Sequence, residues 1–276
     1  MNHPNARAAR TRLAIALTIA GSDSGGGAGI QADLKTFAAL GVHGTSAVTC
    51  LTAQNPEGVF GIQPTTARMV RDQLEAIFST LPPTAAKTGM LYSASIIRAV
   101  LQALEDHPKL KLVVDPVMVA TSGAKLLKLE AIRILCDQLI PRALVVTPNL
   151  DEAEILTGRK LKSLDDIREA ARQIHATHGC AVLLKGGHLA DRTTATDILF
   201  DGQRETQFEA PYARGVTTHG TGCTYSAAIA AELAKGSPLL EAVETSKWFI
   251  TQAIHTSQRI GRHTVLNTIQ PPDLED

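Results

Sequence analysis

The chain has 276 residues, of which 44% are apolar, 20% are charged and only 4% are aromatic. This length and composition are typical of a soluble globular domain with a full hydrophobic core. The 27 basic residues balance the 27 acidic residues, and no basic stripe alternates with aromatic residues, which argues against a nucleic-acid-binding or membrane-surface protein. No apolar run is long enough to predict a membrane-spanning segment.

The N-terminal segment, residues 1–12, contains three arginines and no acidic residue, and it lacks the apolar centre of a signal peptide. A short organelle-targeting segment is one interpretation, but we expect a disordered leader. The four cysteines are not spaced as C-x-x-C pairs, so they predict neither a zinc site nor a disulfide framework. We therefore expect a cytoplasmic protein with reduced thiols.

Strand-like segments alternate with helix-like segments along most of the chain. An apolar run over 13–20 predicts a buried strand that enters a Gly-rich loop, and helical spacing follows over 28–40. The remaining strands are predicted at 45–51, 85–88, 110–114, 143–147 and 181–184, with a turn at 54–58 and a hairpin at 194–200 and 205–210. The remaining helices are predicted at 66–79, 93–106, 128–139, 163–178, 222–234 and 238–258.

This alternation predicts an α/β fold, a three-layer αβα sandwich with a mostly parallel central sheet. No linker divides the chain, so we expect a single domain over 13–262 and a loose tail over 263–276. Ligands of such folds bind beyond the carboxyl ends of the strands. Unusual residues follow five predicted strands, namely Gly21 to Asp23, Thr88 to Met90, Asp115, Asn149 and Lys185. The sequence therefore predicts a site at one edge of the sheet.

A Gly-rich stretch, Thr-Thr-His-Gly-Thr-Gly-Cys-Thr-Tyr-Ser at 217–226, leads into an Ala-rich helical run. Glycines allow backbone N–H groups to converge, and a helix N-terminus adds unpaired N–H groups, so this stretch predicts an anion site for phosphoryl transfer. Cys223 lies within the turn, where a lowered thiol pKa and a reactive thiolate are expected. The alternative is a buried cysteine that serves as a small apolar side chain.

Five other candidate residues each allow two interpretations. Asp33 is either a solvated helix charge or an inward carboxylate that holds the N–H groups of a ligand. Asn149 and Glu152 fit a helix N-cap with its capping-box partner, and they also suit a site for metal and phosphate. Lys185 is either a surface lysine or a charge on phosphate. Asp115 either ends a strand or binds a metal or a substrate hydroxyl.

A dinucleotide site is not favoured, although residues 27–32 match the pattern G-x-G-x-x-A. That fingerprint requires an acidic residue about 20 positions further on to bind the ribose. No acidic residue stands between Asp33 and Glu57, and the chain has no Walker-type phosphate loop.

Seven ordered motifs between about residues 13 and 260 resemble the hydroxymethylpyrimidine/phosphomethylpyrimidine kinases of thiamine biosynthesis, which belong to the ribokinase-like superfamily. The first motif covers residues 16–37 and contains Gly-Ser-Asp-Ser-Gly-Gly-Gly. The others are Thr-Ala-Gln-Asn at 52–55, Lys-Thr-Gly-Met-Leu at 87–91, Val-Asp-Pro-Val-Met at 114–118, Thr-Pro-Asn-Leu-Asp-Glu-Ala at 147–153, Leu-Lys-Gly-Gly-His at 184–188 and Thr-His-Gly-Thr-Gly-Cys-Thr at 218–224.

The resemblance implies two ATP-dependent phosphorylations at one site in a homodimer. 4-Amino-5-hydroxymethyl-2-methylpyrimidine becomes its monophosphate and then its diphosphate. By the same resemblance, Gln54 binds the aminopyrimidine and Asp33 is a further polar contact, while Met90 and Gly21 shape the pocket.

The resemblance also assigns the phosphoryl-transfer residues. Gly220, Thr221, Gly222 and Cys223 are expected to form the anion hole. Cys223 stands where sugar kinases of the superfamily carry an aspartate base, so it is either the base for the hydroxymethyl proton or a group that positions the substrate. Asn149, Lys185 and Thr218 are expected to bind the ATP phosphates. Asp115 and Glu152 are expected to serve Mg²⁺.

The sequence departs from the family at two places. Relatives often carry Asp-Thr-Lys where this chain has Arg-Gly-Val at 214–216, and the stretch 260–265 lacks their Gly-His-Gly-Pro run. Two alternative functions remain. One is phosphorylation of pyridoxal or pyridoxine on the same scaffold, and the other is a catalytically silent protein that binds the pyrimidine.

Overall fold

The computed structural model describes residues 12–118, 127–187, 193–213 and 219–269. Most of the predicted leader, the segment 214–216, Thr218 and the tail beyond residue 269 lie outside these ranges. Within them, no helix combines the length and the apolar character needed to cross a bilayer.

Twelve strands lie in the described part of the chain: β1 (Ile15–Ala20), β2 (His43–Val48), β3 (Cys50–Asn55), β4 (Gly58–Pro64), β5 (Ala85–Thr88), β6 (Lys111–Val114), β7 (Val145–Val146), β8 (Ala181–Lys185), β9 (Thr194–Phe200), β10 (Glu205–Pro211), β11 (Gln258–Ile260) and β12 (His263–Val265). Eight of them form one sheet in the order β10-β9-β8-β7-β6-β5-β1-β2. All neighbours are parallel except β9, which is antiparallel to β8 and β10. The predicted mostly parallel sheet is confirmed.

Helices cover both faces of this sheet and complete the three layers. One face carries α1 (Gly29–Ala39), α7 (Thr221–Lys235) and α8 (Leu239–His255); the other carries α2 (Ala67–Thr80), α3 (Ala94–Glu105), α4 (Leu129–Ile134), α5 (Leu150–Thr157) and α6 (Leu164–His178). Leu17 and Ile19 of β1 pack toward the second group, and Ala16 packs toward the first. The side chains of β1 are buried on both faces, which explains its almost unbroken apolar sequence.

Side-chain caps begin several helices where the sequence predicts them. The Asn149 and Glu152 side chains each accept a hydrogen bond from the backbone N–H of the other residue, at 2.9 Å in both cases. Ser163 and Asp166 form a second capping box at the start of α6. The predicted helix over 128–139 begins at Leu129 and continues from 135 to 139 as a π-helical turn.

A two-stranded hairpin, β3 and β4, departs from the prediction. The strand predicted at 45–51 ends at Val48, and the chain then forms β3 in a separate sheet. Gln54 and Asn55 belong to β3, so the predicted turn at 54–58 shortens to two residues between the strands. The sequence did not reveal β4 because two glycines interrupt its apolar alternation.

The C-terminal segment is ordered further than predicted. The last helix ends at His255, and β11 and β12 then form a short antiparallel hairpin. The loose tail expected from residue 263 is therefore wrong for residues 263–265. Leu266 packs against the core, and Asn267 donates its backbone N–H to the Ala253 carbonyl at 3.0 Å.

Candidate active site

The carboxyl ends of the central strands meet at one edge of the sheet, as predicted. Backbone hydrogen bonds extend the pairing just beyond the strands: Gly89 donates to the Ile19 carbonyl and Asp115 to the Thr88 carbonyl, both at 3.0 Å. On the other side, the Lys185 N–H donates to the Pro148 carbonyl at 2.9 Å. These bonds place Asp115 and Lys185 at the same edge, next to the start of α5.

The N-terminus of α7 rests on the Gly-rich loop that precedes α1. Gly220, which begins α7, has φ +82°, and a Cβ there would stand 1.7 Å from the Gly27 carbonyl oxygen. Only glycine fits this close approach. In the first turn of α7, Thr221 Oγ1 is buried and has no hydrogen-bond partner among the described residues. A helix N-terminus with a free hydroxyl is a ready anion site.

Lys185 lies beside this helix N-terminus. Its Nζ is 3.3 Å from the place where a Cβ on Gly222 would stand, and 3.1 Å from Asp115 Oδ1. Burial opposes the charge of the ammonium, but Asp115 and Glu152 outweigh burial and raise the pKa of Lys185. The ammonium and the N–H groups of α7 thus face the same small region, which suits a phosphate group.

Asp115 and Glu152 are both buried at this edge, with 3% exposure each. Ser226 Oγ donates to Asp115 Oδ2 at 3.2 Å. Burial raises the pKa of Glu152 to about 8; Lys185 lowers it and Asp115 raises it further. Glu152 therefore does both things that the sequence suggested: it caps α5, and it lies at the edge of the sheet beyond a strand.

Asp115 and the Glu152 carboxyl fit a Mg²⁺ ion that arrives with a nucleotide, because the charge of the cation would favour the ionised form of Glu152. No group of three or more His, Cys, Asp or Glu side chains in the described residues is arranged to hold a metal ion. Mg²⁺ commonly needs only one or two carboxylates, because it keeps several waters and binds the substrate phosphates.

Asp33 is fully buried, so the solvated-charge interpretation is wrong, and its contact with a ligand stays a prediction. Its carboxylate accepts from Thr18 Oγ1 at 2.6 Å and from Lys87 Nζ at 3.0 Å through both oxygens. Burial raises the pKa of Asp33, while Lys87 and Thr18 act against that rise. Asp33 thus already has protein donors on both oxygens.

Lys87 was not predicted as a site residue, although it begins the Lys-Thr-Gly-Met-Leu motif at 87–91. It is fully buried at the end of β5, where the preceding residues are Ala85 and Ala86. Asp33 overcomes the effect of burial and raises the pKa of Lys87. A charged residue at the end of an otherwise apolar strand is the sequence signal that could have found it.

Cys223 lies in the first turn of α7, but the predicted thiolate is wrong. The residue is half-buried, but protein atoms surround its thiol closely, and burial raises the thiol pKa to about 11. Lys87 and the N–H of Gly29 lower that pKa, while Asp33 and Asp115 raise it. The thiol is therefore protonated at neutral pH.

Gly21 and Met90 lie side by side at the end of β1. The Gly21 N–H donates to the Met90 carbonyl at 3.1 Å. A Cβ on Gly21 would stand 2.6 Å from Cys50 Sγ, so a larger residue would force the buried Cys50 side chain to move. The structure brings both residues to the same edge as the other candidates.

Gln54 lies near the end of β3, next to His219, which was not predicted as a site residue. The Gln54 Nε2 is 3.5 Å from His219 Nε2, and His219 Nε2 is 3.3 Å from Asp23 Oδ2. A cavity opens here between the Gly-rich loop and the C-terminal hairpin, lined by Asp23, Gly25, Gly27, Pro56, His219 and residues 264–266. The sequence feature that could have predicted His219 as a site residue is its place inside the Gly-rich motif at 217–226.

The mostly parallel sheet with helices on both faces is the ribokinase-like fold, which it shares with solved pyridoxal kinase structures. Comparison with known proteins gives the particular family. The sequence model of the phosphomethylpyrimidine kinase family matches residues 23–267. The chain therefore belongs to the phosphomethylpyrimidine kinase family.

Individual relatives agree with this assignment. The hydroxymethylpyrimidine/phosphomethylpyrimidine kinase of Bacillus subtilis is 47% identical, over 89% of this chain and 91% of its own length. The thiamine biosynthesis bifunctional protein of Geobacter sulfurreducens is also 47% identical, over 98% of this chain, which spans 57% of that longer protein. An ADP complex of Bacillus subtilis pyridoxal kinase superposes with a TM-score of 0.85 at 40% identity, over 92% of this chain and 97% of that one.

Proposed function

We propose that this protein transfers the γ-phosphoryl group of ATP to 4-amino-5-hydroxymethyl-2-methylpyrimidine and then to the resulting monophosphate, at one site. The observation that carries the proposal is the position of Lys185 Nζ, 3.3 Å from where a Gly222 Cβ would stand at the N-terminus of α7. The family membership supplies the substrate, since relatives are named hydroxymethylpyrimidine/phosphomethylpyrimidine kinases.

The proposed chemistry depends mainly on alignment and charge neutralisation. Phosphoryl transfer passes through a loose transition state whose charge is spread over the phosphoryl oxygens. The N–H groups of Gly220 to Cys223 would donate to those oxygens, as would the Thr221 hydroxyl, which has no hydrogen-bond partner in the described part of the chain. Lys185, Asn149 and Thr218 would bind the ATP phosphates, although Thr218 lies outside the described residues.

Asp115 and Glu152 would hold Mg²⁺, which when bound supplies charge neutralisation between the phosphates. Glu152 keeps one carboxylate oxygen on the backbone N–H of Asn149 at 2.9 Å. This bond fixes the carboxylate at the start of α5. The capping box would therefore also orient the metal-binding group.

Cys223 would contact the hydroxymethyl group of the substrate and position it for attack. A thiol with a pKa raised to about 11 is a poor proton acceptor at neutral pH. The loose transition state needs little help from a base before the phosphoryl group has moved. A positioning role thus fits the structure better than the base role that the thiolate prediction implied.

Gln54 would bind the aminopyrimidine ring, with Met90 and Gly21 at the pocket wall and Asp33 as a more distant polar contact. Asp33 would act through Lys87 and Thr18, since its oxygens accept from both. We also propose a cytoplasmic homodimer. All four cysteines are free thiols, and the exposed Leu51 and Phe60 of the β3–β4 hairpin offer an apolar surface for a second copy.

A pyridoxal kinase activity is the second candidate, favoured by the similarity to the pyridoxal kinase fold. ADP release should be measured with Mg-ATP and, in parallel, hydroxymethylpyrimidine, its monophosphate and pyridoxal. We expect turnover of both pyrimidines at a higher kcat/KM than pyridoxal. Turnover of pyridoxal alone would reverse the assignment. Pyrimidine binding without ADP release would instead identify a silent binding protein.

A further inference from the structure

His219 lies between the Gly-rich loop that precedes α1 and the β3–β4 hairpin that carries Gln54. It precedes Gly220 at the start of α7, and its ring packs on the Gly-rich loop, where Cδ2 is 3.1 Å from the place of a Cβ on Gly27. Its Nε2 is 3.3 Å from Asp23 Oδ2 and 3.5 Å from the Gln54 side-chain amide. One ring nitrogen therefore serves both a carboxylate and the amide proposed to bind the pyrimidine.

The Asp23 carboxylate is a fixed acceptor. Its Oδ1 accepts from the Gly25 N–H at 2.8 Å, and its Oδ2 accepts from the N–H groups of Gly27 at 3.1 Å and Ala28 at 2.8 Å. Burial raises the pKa of Asp23, but His219 and these backbone donors outweigh burial and hold the pKa below its ordinary value. An ionised carboxylate only accepts, so the His219 Nε2 must carry a hydrogen.

That hydrogen decides which way the Gln54 amide faces. Two donors do not pair, so the amide atom toward His219 must be Oε1, which a half-turn of the amide brings there without changing its shape. The Gln54 backbone is held independently, because its N–H donates to Ser24 Oγ at 2.8 Å and its carbonyl accepts from that hydroxyl at 2.6 Å. Ser24 thus holds the backbone of Gln54, and His219 orients its side-chain amide.

We propose that His219 is a specificity-determining residue that acts through Gln54. Its single Nε2–H is shared between Asp23 Oδ2 and one lone pair of Gln54 Oε1, and this three-centre contact orients the amide. The second lone pair of Oε1 then accepts from an exocyclic amino group, and Nε2 donates to the neighbouring ring nitrogen.

A 4-oxopyrimidine has the opposite pattern, an oxo group beside a ring N–H. Its oxo group would face the acceptor Gln54 Oε1, and its ring N–H would face the donor Gln54 Nε2, so neither hydrogen bond could form. The site therefore selects 4-aminopyrimidines over 4-oxopyrimidines. This inference rests on the proposed function, because it takes Gln54 as the group that contacts the ring. The selectivity would come as much from the poor fit of the 4-oxo ring as from the hydrogen bonds to the 4-amino ring.

The test compares the Kd of 4-amino-5-hydroxymethyl-2-methylpyrimidine with that of its 4-oxo analogue, by calorimetry. We expect the wild type to bind the amino compound about tenfold or more tightly. His219→Met removes the donor, and Gln54 can then turn to suit either ring, so the ratio should fall to about threefold or less. His219→Gln is the matched control, since it has similar length and retains a donor, and it should preserve the ratio.

Equal loss of affinity for both compounds in His219→Met, with an unchanged ratio, would overturn the inference and leave a structural role. So would a His219→Gln variant as unselective as His219→Met. If His219→Met does not fold, equal wild-type affinity for the two compounds is the overturning result. Turnover is measured separately: binding with selection but no ADP release would reject the kinase proposal and leave this inference standing.

Discussion

The Lys87 ammonium lies 3.0 Å from both carboxylate oxygens of Asp33, and neither side chain has any accessible surface. Two charges taken out of water in this way are expensive unless they stay paired. The pair lies in the layer between β5 and α1, and its charges influence the pKa of Cys223 in opposite directions. The Asp33–Lys87 pair therefore affects both the stability of the core and the pKa of Cys223 in the site.

Lys87→Met should be strongly destabilising because it leaves the Asp33 carboxylate buried and unpaired. We expect a loss of about 3–5 kcal/mol in the free energy of unfolding, measured with urea. The double variant Lys87→Met/Asp33→Asn removes both charges and should recover much of this loss. Arg98→Met is the matched control, since Arg98 and Glu130 form an exposed pair at 2.9 Å and should cost at most about 1 kcal/mol. A double variant no more stable than the single one would contradict this account.

Serine should replace Cys223 better than alanine does. If the thiol positions the hydroxymethyl group by hydrogen bonding, a hydroxyl can do the same. We expect Cys223→Ala to lower kcat about 100-fold, with little change in the Kd of the pyrimidine, and Cys223→Ser to lower it about tenfold or less. Equal losses in both variants, measured by steady-state ADP release, would favour proton acceptance by the thiol.

The alkylation rate of Cys223 should rise steeply with pH because only the thiolate reacts. With its pKa raised to about 11, reaction with iodoacetamide should keep accelerating up to at least about pH 10. Subtracting the rate in Cys223→Ala corrects for the other cysteines. A rate that reaches its plateau near neutral pH would show a thiolate and reinstate the sequence-based expectation.

Glu152 should make the folded protein less stable as the pH rises. Its pKa is raised from the ordinary 4.5 to about 8, mainly by burial. Between these values the unfolded chain binds fewer protons at this position than the folded chain, so the free energy of unfolding falls with pH.

Glu152→Gln lacks this decrease but retains an oxygen for the Asn149 N–H. We expect the variant to gain about 1 kcal/mol or more relative to the wild type between about pH 5 and pH 8. Urea unfolding at both pH values measures this change. A difference that does not change with pH would show that Glu152 is ionised throughout.

Lys185→Met should weaken ATP binding because it removes the charge beside the α7 N-terminus. A charge-assisted hydrogen bond of this kind corresponds to about 10-fold to 100-fold in Kd. Lys160→Met is the control: Lys160 likewise pairs with a carboxylate, that of Glu154, but its side chain is 79% exposed. Unchanged ATP affinity in Lys185→Met would remove Lys185 from the nucleotide site.

The sequence predicted the layers and the edge that carries the site, because these follow from apolar periodicity and from residues at strand ends. It could not predict the state of Cys223. The local pattern indicated a helix N-terminus, but the pKa depends on burial and on Asp33 and Asp115, which are distant in the chain. His219 was missed for the same reason, since its partners Asp23 and Gln54 meet it only in the folded chain.

The most direct test is to identify the products formed from 4-amino-5-hydroxymethyl-2-methylpyrimidine and Mg-ATP by mass spectrometry over time. The account predicts that the monophosphate appears first and the diphosphate follows, both produced by this one protein. Lys185→Met should slow both steps, because the two phosphorylations share one phosphate site. Absence of both phosphorylated pyrimidines, with ATP left intact, would contradict the account.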